Sequence, residues 1–254
     1  MNTHVHTYGS AGRIGVGMPQ ANPTVEAEFG ILLPRSCSLH VTRLTSGADD
    51  SEKRLAQYLT NLERYLDAYD TLRPDVFGFA CTGSSYLLGA NREEQVIAAA
   101  RATYGYPVET AARAIIWGLE RLRARRVAMV APYLDSLVDH AHAYWSAAGI
   151  DIVRTLRIPT ATADTRGIYD LGSERLAAAL SELSIANVDA VLVTGTGLAS
   201  LPAIRDYSLD VPVISSNVCL AGRLLALTGR GDRLEPDSPF PQGWQGRLEE
   251  ALAR

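Results

Sequence analysis

The chain has 254 residues, 47% of them hydrophobic and 20% charged, with 24 Lys+Arg against 28 Asp+Glu for a formal net charge of −4. That is the composition of a globular protein with a full core, and with no basic cluster longer than RLRARR (121–126) it argues against a nucleic-acid partner. Cys37, Cys81 and Cys219 lie far apart without CxxC or Cys/His spacing, which speaks against a disulfide framework or a metal site.

From the N-terminus, MNTHVHTYGSAGR has no apolar h-region, and no run of about 18 apolar residues follows it. The expectation is a cytoplasmic protein with no membrane partner, its His4 and His6 in a frayed terminus. Short Val- and Ile-rich runs then alternate with stretches whose apolar residues recur every three or four positions, the pattern of βα units. Strands are predicted at 13–19, 38–44, 75–81, 106–111, 126–132, 150–158, 189–195 and 211–216. Over 52–69, Leu55, Leu59, Leu62 and Leu66 form one helical stripe, with Asp49 and Glu52 as its capping box. A second helix is predicted over 92–104, capped by Asn91 with Glu94 at its third position. His140 and His142, two apart on a later helix, face different ways and make a poor metal pair. Helical crossovers return the chain in the same direction, so the sheets are expected to be parallel.

The runs repeat. RIGVGMP and RVAMVAP both end in proline, FGFACTGSS places Cys81-Thr82-Gly83 where VLVTGTGLAS places Gly195-Thr196-Gly197, and YPVETA is echoed by VPVISS; the intervals are 113, 114 and 105 positions. The order points to an α/β protein of two pseudo-symmetric lobes, each a four-stranded parallel sheet flanked by helices. Residues 1–118 make the first lobe, with 217–254 packing back onto it, and 119–216 make the second. Ligands of open parallel sheets bind beyond the carboxyl ends of the strands, so the active site is expected in the interlobe cleft, with Cys81 facing Gly195. A cysteine in an apolar run is ordinarily a small core residue. Cys81, however, ends its strand before Thr-Gly-Ser-Ser, whose backbone N–H groups can form an anion nest and lower a thiol pKa.

The loop MPQANPTVEAEF, the turn FACTGSS, the stretch TAARAIIWGLERLRARRVAMVAPY and VPVISSN together resemble the aspartate/glutamate racemase superfamily, in its branch of maleate cis-trans isomerases and arylmalonate decarboxylases. The resemblance runs over 13–228. It implies a cofactor-independent enzyme acting on a small dicarboxylate, with a homo-oligomer left open. Cys81 matches the position of the isomerases' nucleophilic cysteine, which is a glycine in the decarboxylases. Gly195 stands where both activities carry a second cysteine, a departure that removes the two-thiol arrangement of a racemase. By the same resemblance Asn22 and Tyr133 bind substrate carboxylates, Thr82, Gly83 and Thr196 donate to them, and Thr165 or Asp164 replaces a further asparagine.

Other readings of these residues stay open. Tyr133 is otherwise a strand-end aromatic, and Asn22-Pro23 a turn former. Asn217 reads as a helix cap, Cys37 as structural, and Cys219 as core or a displaced second thiol. Phe79, Leu87, Leu88 and Leu198 are apolar pocket or core. The leading function is a maleate isomerase-like reaction with a Cys81 thiolate adding to the double bond; the alternatives are an arylmalonate-type decarboxylase with Cys81 as proton donor and a non-catalytic module binding a small anion. A dinucleotide fingerprint at GTGLAS fails, because its third glycine is Ser200 and no acidic residue ends the next strand.

Overall fold

The computed structural model describes residues 7–207 and 210–253, so His4 and His6 lie outside the described residues. One sheet contains β1 (Gly12–Pro19), β2 (Cys37–Leu44), β3 (Val76–Phe79) and β4 (Val108–Thr110), in the order β2-β1-β3-β4. The other contains β5 (Arg126–Ala131), β6 (Asp151–Arg157), β7 (Ala190–Val193) and β8 (Val213–Ser215), in the order β6-β5-β7-β8. Every ladder is parallel. Each predicted strand therefore forms, and the sequence repeat reappears as one strand order used twice. The central strands are apolar and buried along nearly their whole length, because helices cover both faces of a parallel sheet. The edge strands β2 and β6 stay partly exposed.

The stripe Leu55, Leu59, Leu62 and Leu66 is buried as expected, but it is carried by two helices, α2 (Ser51–Thr60) and α3 (Leu62–Asp67), which break at Asn61. The cap of α2 is Asp50 and not Asp49: the Asp50 carboxylate accepts from the Lys53 N–H at 2.7 Å. The helix expected to begin at residue 92, after Asn91, starts ten residues earlier. It is α4 (Thr82–Tyr104), and it kinks at Gly89, whose φ of 73° lies in the left-handed region that only glycine enters freely. Because of that kink the patterns before and after Gly89 do not share one helical phase, and the first turns were not legible as helix.

The remaining helices are α1 (Thr24–Leu32), α5 (Ala111–Arg121), α6 (Asp135–Ala147), α7 (Ser173–Glu182), α8 (Leu201–Asp206), α9 (Ser216–Leu227) and α10 (Trp244–Leu252). Helix α9 packs on α5 and α1 and beneath β3 and β4 of the first sheet, while also touching β8. The approach to α5 is close: a Cβ added at Gly118 would lie 2.8 Å from Cys219 Sγ. Cys219 is fully buried there, and burial pushes its thiol pKa far up. It is core, not a displaced second thiol. The N-cap of α9 is Ser215, which accepts from Val218 N, so Asn217 is not the cap. No helix among the described residues is long and apolar enough to cross a membrane.

Candidate active site

Four loops meet where the carboxyl ends of β1, β3, β5 and β7 face one another. They form a cavity lined by Asn22, Cys81, Thr82, Gly83, Tyr133, Thr165, Gly195 and Thr196. All eight residues singled out from the sequence are thus brought together. Of the two readings left open for Phe79, Leu87, Leu88 and Leu198, core is the one the structure takes: Phe79 and Leu198 are buried in the core and Leu87 and Leu88 pack against it, while Pro19, Leu55, Leu137 and Ile168 line the cavity with Tyr169. Leu55 and Leu137 belong to helices whose stripes point inward, and nothing in their spacing says that the stripe ends at a cavity.

Cys81 occupies the N-cap position of α4, extended at φ −151° and ψ 101°. Its sulfur accepts a hydrogen bond from Ser84 Oγ at 3.3 Å, and the nearby Ser84 and Gly83 N–H groups also favour its thiolate. The nest expected from Thr-Gly-Ser-Ser is therefore built, but its electrostatic consequence is outweighed. Burial raises the Cys81 thiol pKa above its ordinary value; the Ser84 and Gly83 bonds and the Arg54 charge only oppose this. The expectation of a lowered thiol pKa is corrected, since desolvation of a fully buried thiolate exceeds what three neutral donors return.

Asn22 combines its two readings. Its Oδ1 accepts from Thr24 N at 2.9 Å and Val25 N at 3.2 Å, which caps the start of α1. That fixes the amide so that Nδ2, a donor, is directed at Thr196 Oγ1 at 3.4 Å and toward the cavity. Tyr133 is not a solvated aromatic either. It is 5% exposed, its hydroxyl lies 2.7 Å from Thr82 Oγ1 and 3.2 Å from Thr194 Oγ1, and burial raises its pKa well above the ordinary phenol value. Thr196 Oγ1 donates to Ala80 O at 2.9 Å, tying the two strand-end turns together. At Thr165 the hydroxyl lies 3.2 Å from Ser51 Oγ. Its neighbour Asp164 instead pairs with the buried Arg54 at 2.6 Å and with Arg166.

Gly195 is more than a missing thiol. Its φ is 100°, and a Cβ there would stand 3.0 Å from Pro132 Cγ and 3.4 Å from the Tyr133 hydroxyl. The turn is built for glycine. Among the described residues no Asp, Glu, His, Lys or Arg lines the cavity, whose described lining offers one thiol, neutral donors and an apolar wall.

A sequence model of the arylmalonate decarboxylase family matches residues 45–238. The chain belongs to that family. Among the family's curated relatives, the maleate isomerase of Nocardia farcinica is 31% identical over 247 residues, spanning 89% of this chain and 96% of its own. The arylmalonate decarboxylase of Bordetella bronchiseptica is 29% identical over 163 residues, 61% of this chain and 65% of its own. A solved Nocardia farcinica maleate cis-trans isomerase, in a variant with one cysteine replaced by serine and a covalently bound succinylcysteine intermediate, superposes with a TM-score of 0.74 at 27% identity over 85% of this chain and 92% of that one. The arylmalonate decarboxylase family thus places this chain, an enzyme, in the branch that holds both activities.

Sequence reasoning missed the buried carboxylates of this family member. Glu28 accepts from Ser200 N at 2.5 Å, Leu201 N at 3.1 Å and Asn217 Nδ2 at 2.7 Å, and Asn217 also donates to Thr196 O. Glu93 accepts from Ser85 Oγ and Thr110 Oγ1, each at 2.6 Å, and from the Tyr144 hydroxyl at 2.5 Å. A signal for Glu28 existed: it shares the inward face of α1 with Val25, Phe29 and Leu32.

Proposed function

We propose that the protein is a cofactor-independent, cysteine-dependent isomerase of a small dicarboxylate, with maleate as substrate. The observation that carries this is the placement of Cys81, the one thiol among the described residues that line the cavity, between neutral donors on both sides. The maleate isomerases among its relatives support the same reading. In the reaction, the Cys81 thiol first gives up its proton to solvent; the thiolate then adds to one alkene carbon and the displaced electron pair moves onto the far carboxylate as an enediolate. Tyr133, Thr82 and backbone N–H groups hold that charge, as an oxyanion hole does. The carbon–carbon bond, now single, rotates; the pair returns, the carbon–sulfur bond breaks, and fumarate leaves with the thiolate restored. No net proton is used, so Gly195 in place of a second thiol is no obstacle.

A second reading is favoured by the protonated state of Cys81 and by the wall of Leu55, Leu137 and Ile168. In it a disubstituted malonate expels carbon dioxide against that apolar wall, and the Cys81 thiol protonates the enediolate, recovering its proton from solvent. Proton NMR in heavy water, with maleate, phenylmalonate and a hydantoin as separate substrates, tests both. Fumarate from maleate without solvent deuterium in the product supports isomerisation. Deuterated phenylacetate from phenylmalonate moves the assignment to decarboxylation, and loss of hydantoin stereochemistry would overturn both. A Cys81→Ala protein that keeps full turnover removes the cysteine from either mechanism.

A further inference from the structure

Two arginines outside the cavity occupy equivalent places in the two lobes. Arg43 stands in the edge strand β2 opposite Met18, the residue before Pro19; Arg157 stands in the edge strand β6 opposite Ala131, the residue before Pro132. They are 114 positions apart, the interval that separates Cys81 from Gly195. Each reaches over the end of its central strand to the loop beyond. Arg43 donates from Nη1 to the Asn22 carbonyl at 2.9 Å, and Arg157 from Nε to the Tyr133 carbonyl, also at 2.9 Å. Each guanidinium also grips an acid in the first turn of the helix that follows, Glu26 of α1 for Arg43 and Asp135 of α6 for Arg157.

We infer that Arg43 and Arg157 are a pseudo-symmetric pair of positioning residues, each fixing the loop whose side chain holds one substrate carboxylate. The inference rests on the reading that Asn22 and Tyr133 are those two grips. A guanidinium's planar fork suits this task, because one group can bind a carbonyl and a carboxylate at the same time and so lock strand, loop and helix together. Neither arginine lines the cavity, so neither touches substrate directly. Their ion pairs are partly exposed and stabilise the fold little, so the geometry of the loops is what they are placed to set.

A double-mutant cycle separates this from long-range attraction between a cation and a dianionic substrate. Maleate affinity is measured by calorimetry in a Cys81→Ser background, which blocks turnover. Arg43→Met is expected to weaken binding about tenfold, yet less than twofold once Asn22→Ala has removed the grip it positions. With Tyr133→Phe in place of Asn22→Ala, its effect should persist in full. Arg157→Met is expected to show the mirror pattern, coupled to Tyr133 and independent of Asn22. A loss that persists equally in every background is charge attraction and overturns the inference, as does binding unchanged by both arginine substitutions. Asn22→Ala and Tyr133→Phe proteins that bind maleate normally, or an unsubstituted chain that does not bind it, would overturn the grip reading and the inference with it.

Discussion

At Cys81 two effects oppose each other. The thiolate gains from Ser84 Oγ and the N–H groups at the start of α4 but loses most of its hydration, and burial wins. The sign follows directly. A thiol with a raised pKa keeps its proton through neutral pH, so the rate of iodoacetamide labelling at Cys81 is expected to climb past pH 9 without a plateau. A plateau reached below pH 8, read by mass spectrometry, would show that the nest prevails over burial. Cys37 makes a poor internal comparison, since burial raises its thiol too. Tyr133 is the other decisive residue. Its hydroxyl sits within hydrogen-bond range of both Thr82 and Thr194, so Tyr133→Phe should keep the fold while removing a donor to developing negative charge. A hydrogen bond to a charged group is worth about 1.5–3 kcal/mol, so kcat/KM is expected to fall roughly ten- to hundredfold. Steady-state kinetics that change less than twofold would place Tyr133 outside the reaction.

Among the elements, α4 is the one whose irregularity has a purpose. The kink at Gly89 turns the second half of the helix so that Glu93 reaches back to Ser85, eight residues earlier, and outward to Tyr144 of α6. The first turn of α4, which carries Thr82 and Gly83, is thereby fastened from behind. Gly89→Ala meets open space, so its cost is purely conformational: about 1–3 kcal/mol for an L-residue at φ 73° and ψ 159°, a region essentially reserved for glycine. Gly30 in α1 also faces open space but has ordinary helical geometry, and Gly30→Ala should stabilise by about 0.5–1 kcal/mol. Urea midpoints that move in opposite directions for the two substitutions are the expected result; a shared direction would mean that the backbone at Gly89 is not strained by a side chain. This contrast also shows what sequence can carry. The eight strands, their parallel sense and the strand-end positions of Cys81, Tyr133 and Gly195 were legible because apolar runs and their repeat report burial and topology directly. The start of α4, the wall of Leu55 and Leu137 and the reach of Glu93 were not, because each depends on how one element is turned against another, and periodicity has no term for that.

Across the whole molecule, buried polar groups join the lobes alongside apolar packing. Tyr86 of the first lobe hydrogen-bonds Thr194 of the second at 2.7 Å, and its ring meets Tyr144 and Trp145 edge-on. Glu28 also joins the two lobes. From α1 it caps the N-terminus of α8, and through Asn217 it steadies the turn at Thr196. Four donors favour its ionised form, but complete burial opposes them and raises its pKa above the ordinary 4.5. The linkage sign is then fixed. Below pH 4.5 both folded and unfolded chains hold this proton. As pH rises, the unfolded chain releases it first, so the stability contributed by Glu28 declines until the raised folded pKa has been passed. Glu28→Gln cannot titrate. It keeps an oxygen for the Ser200 and Leu201 N–H groups but points an amide at Asn217, so the variant should be less stable at every pH. The gap between the two proteins, measured as urea midpoints from pH 4 to 8, is expected to narrow toward alkaline pH. A gap that widens instead would mean that the four hydrogen bonds outweigh desolvation and that the lobes are pinned by a carboxylate rather than by a neutral acid.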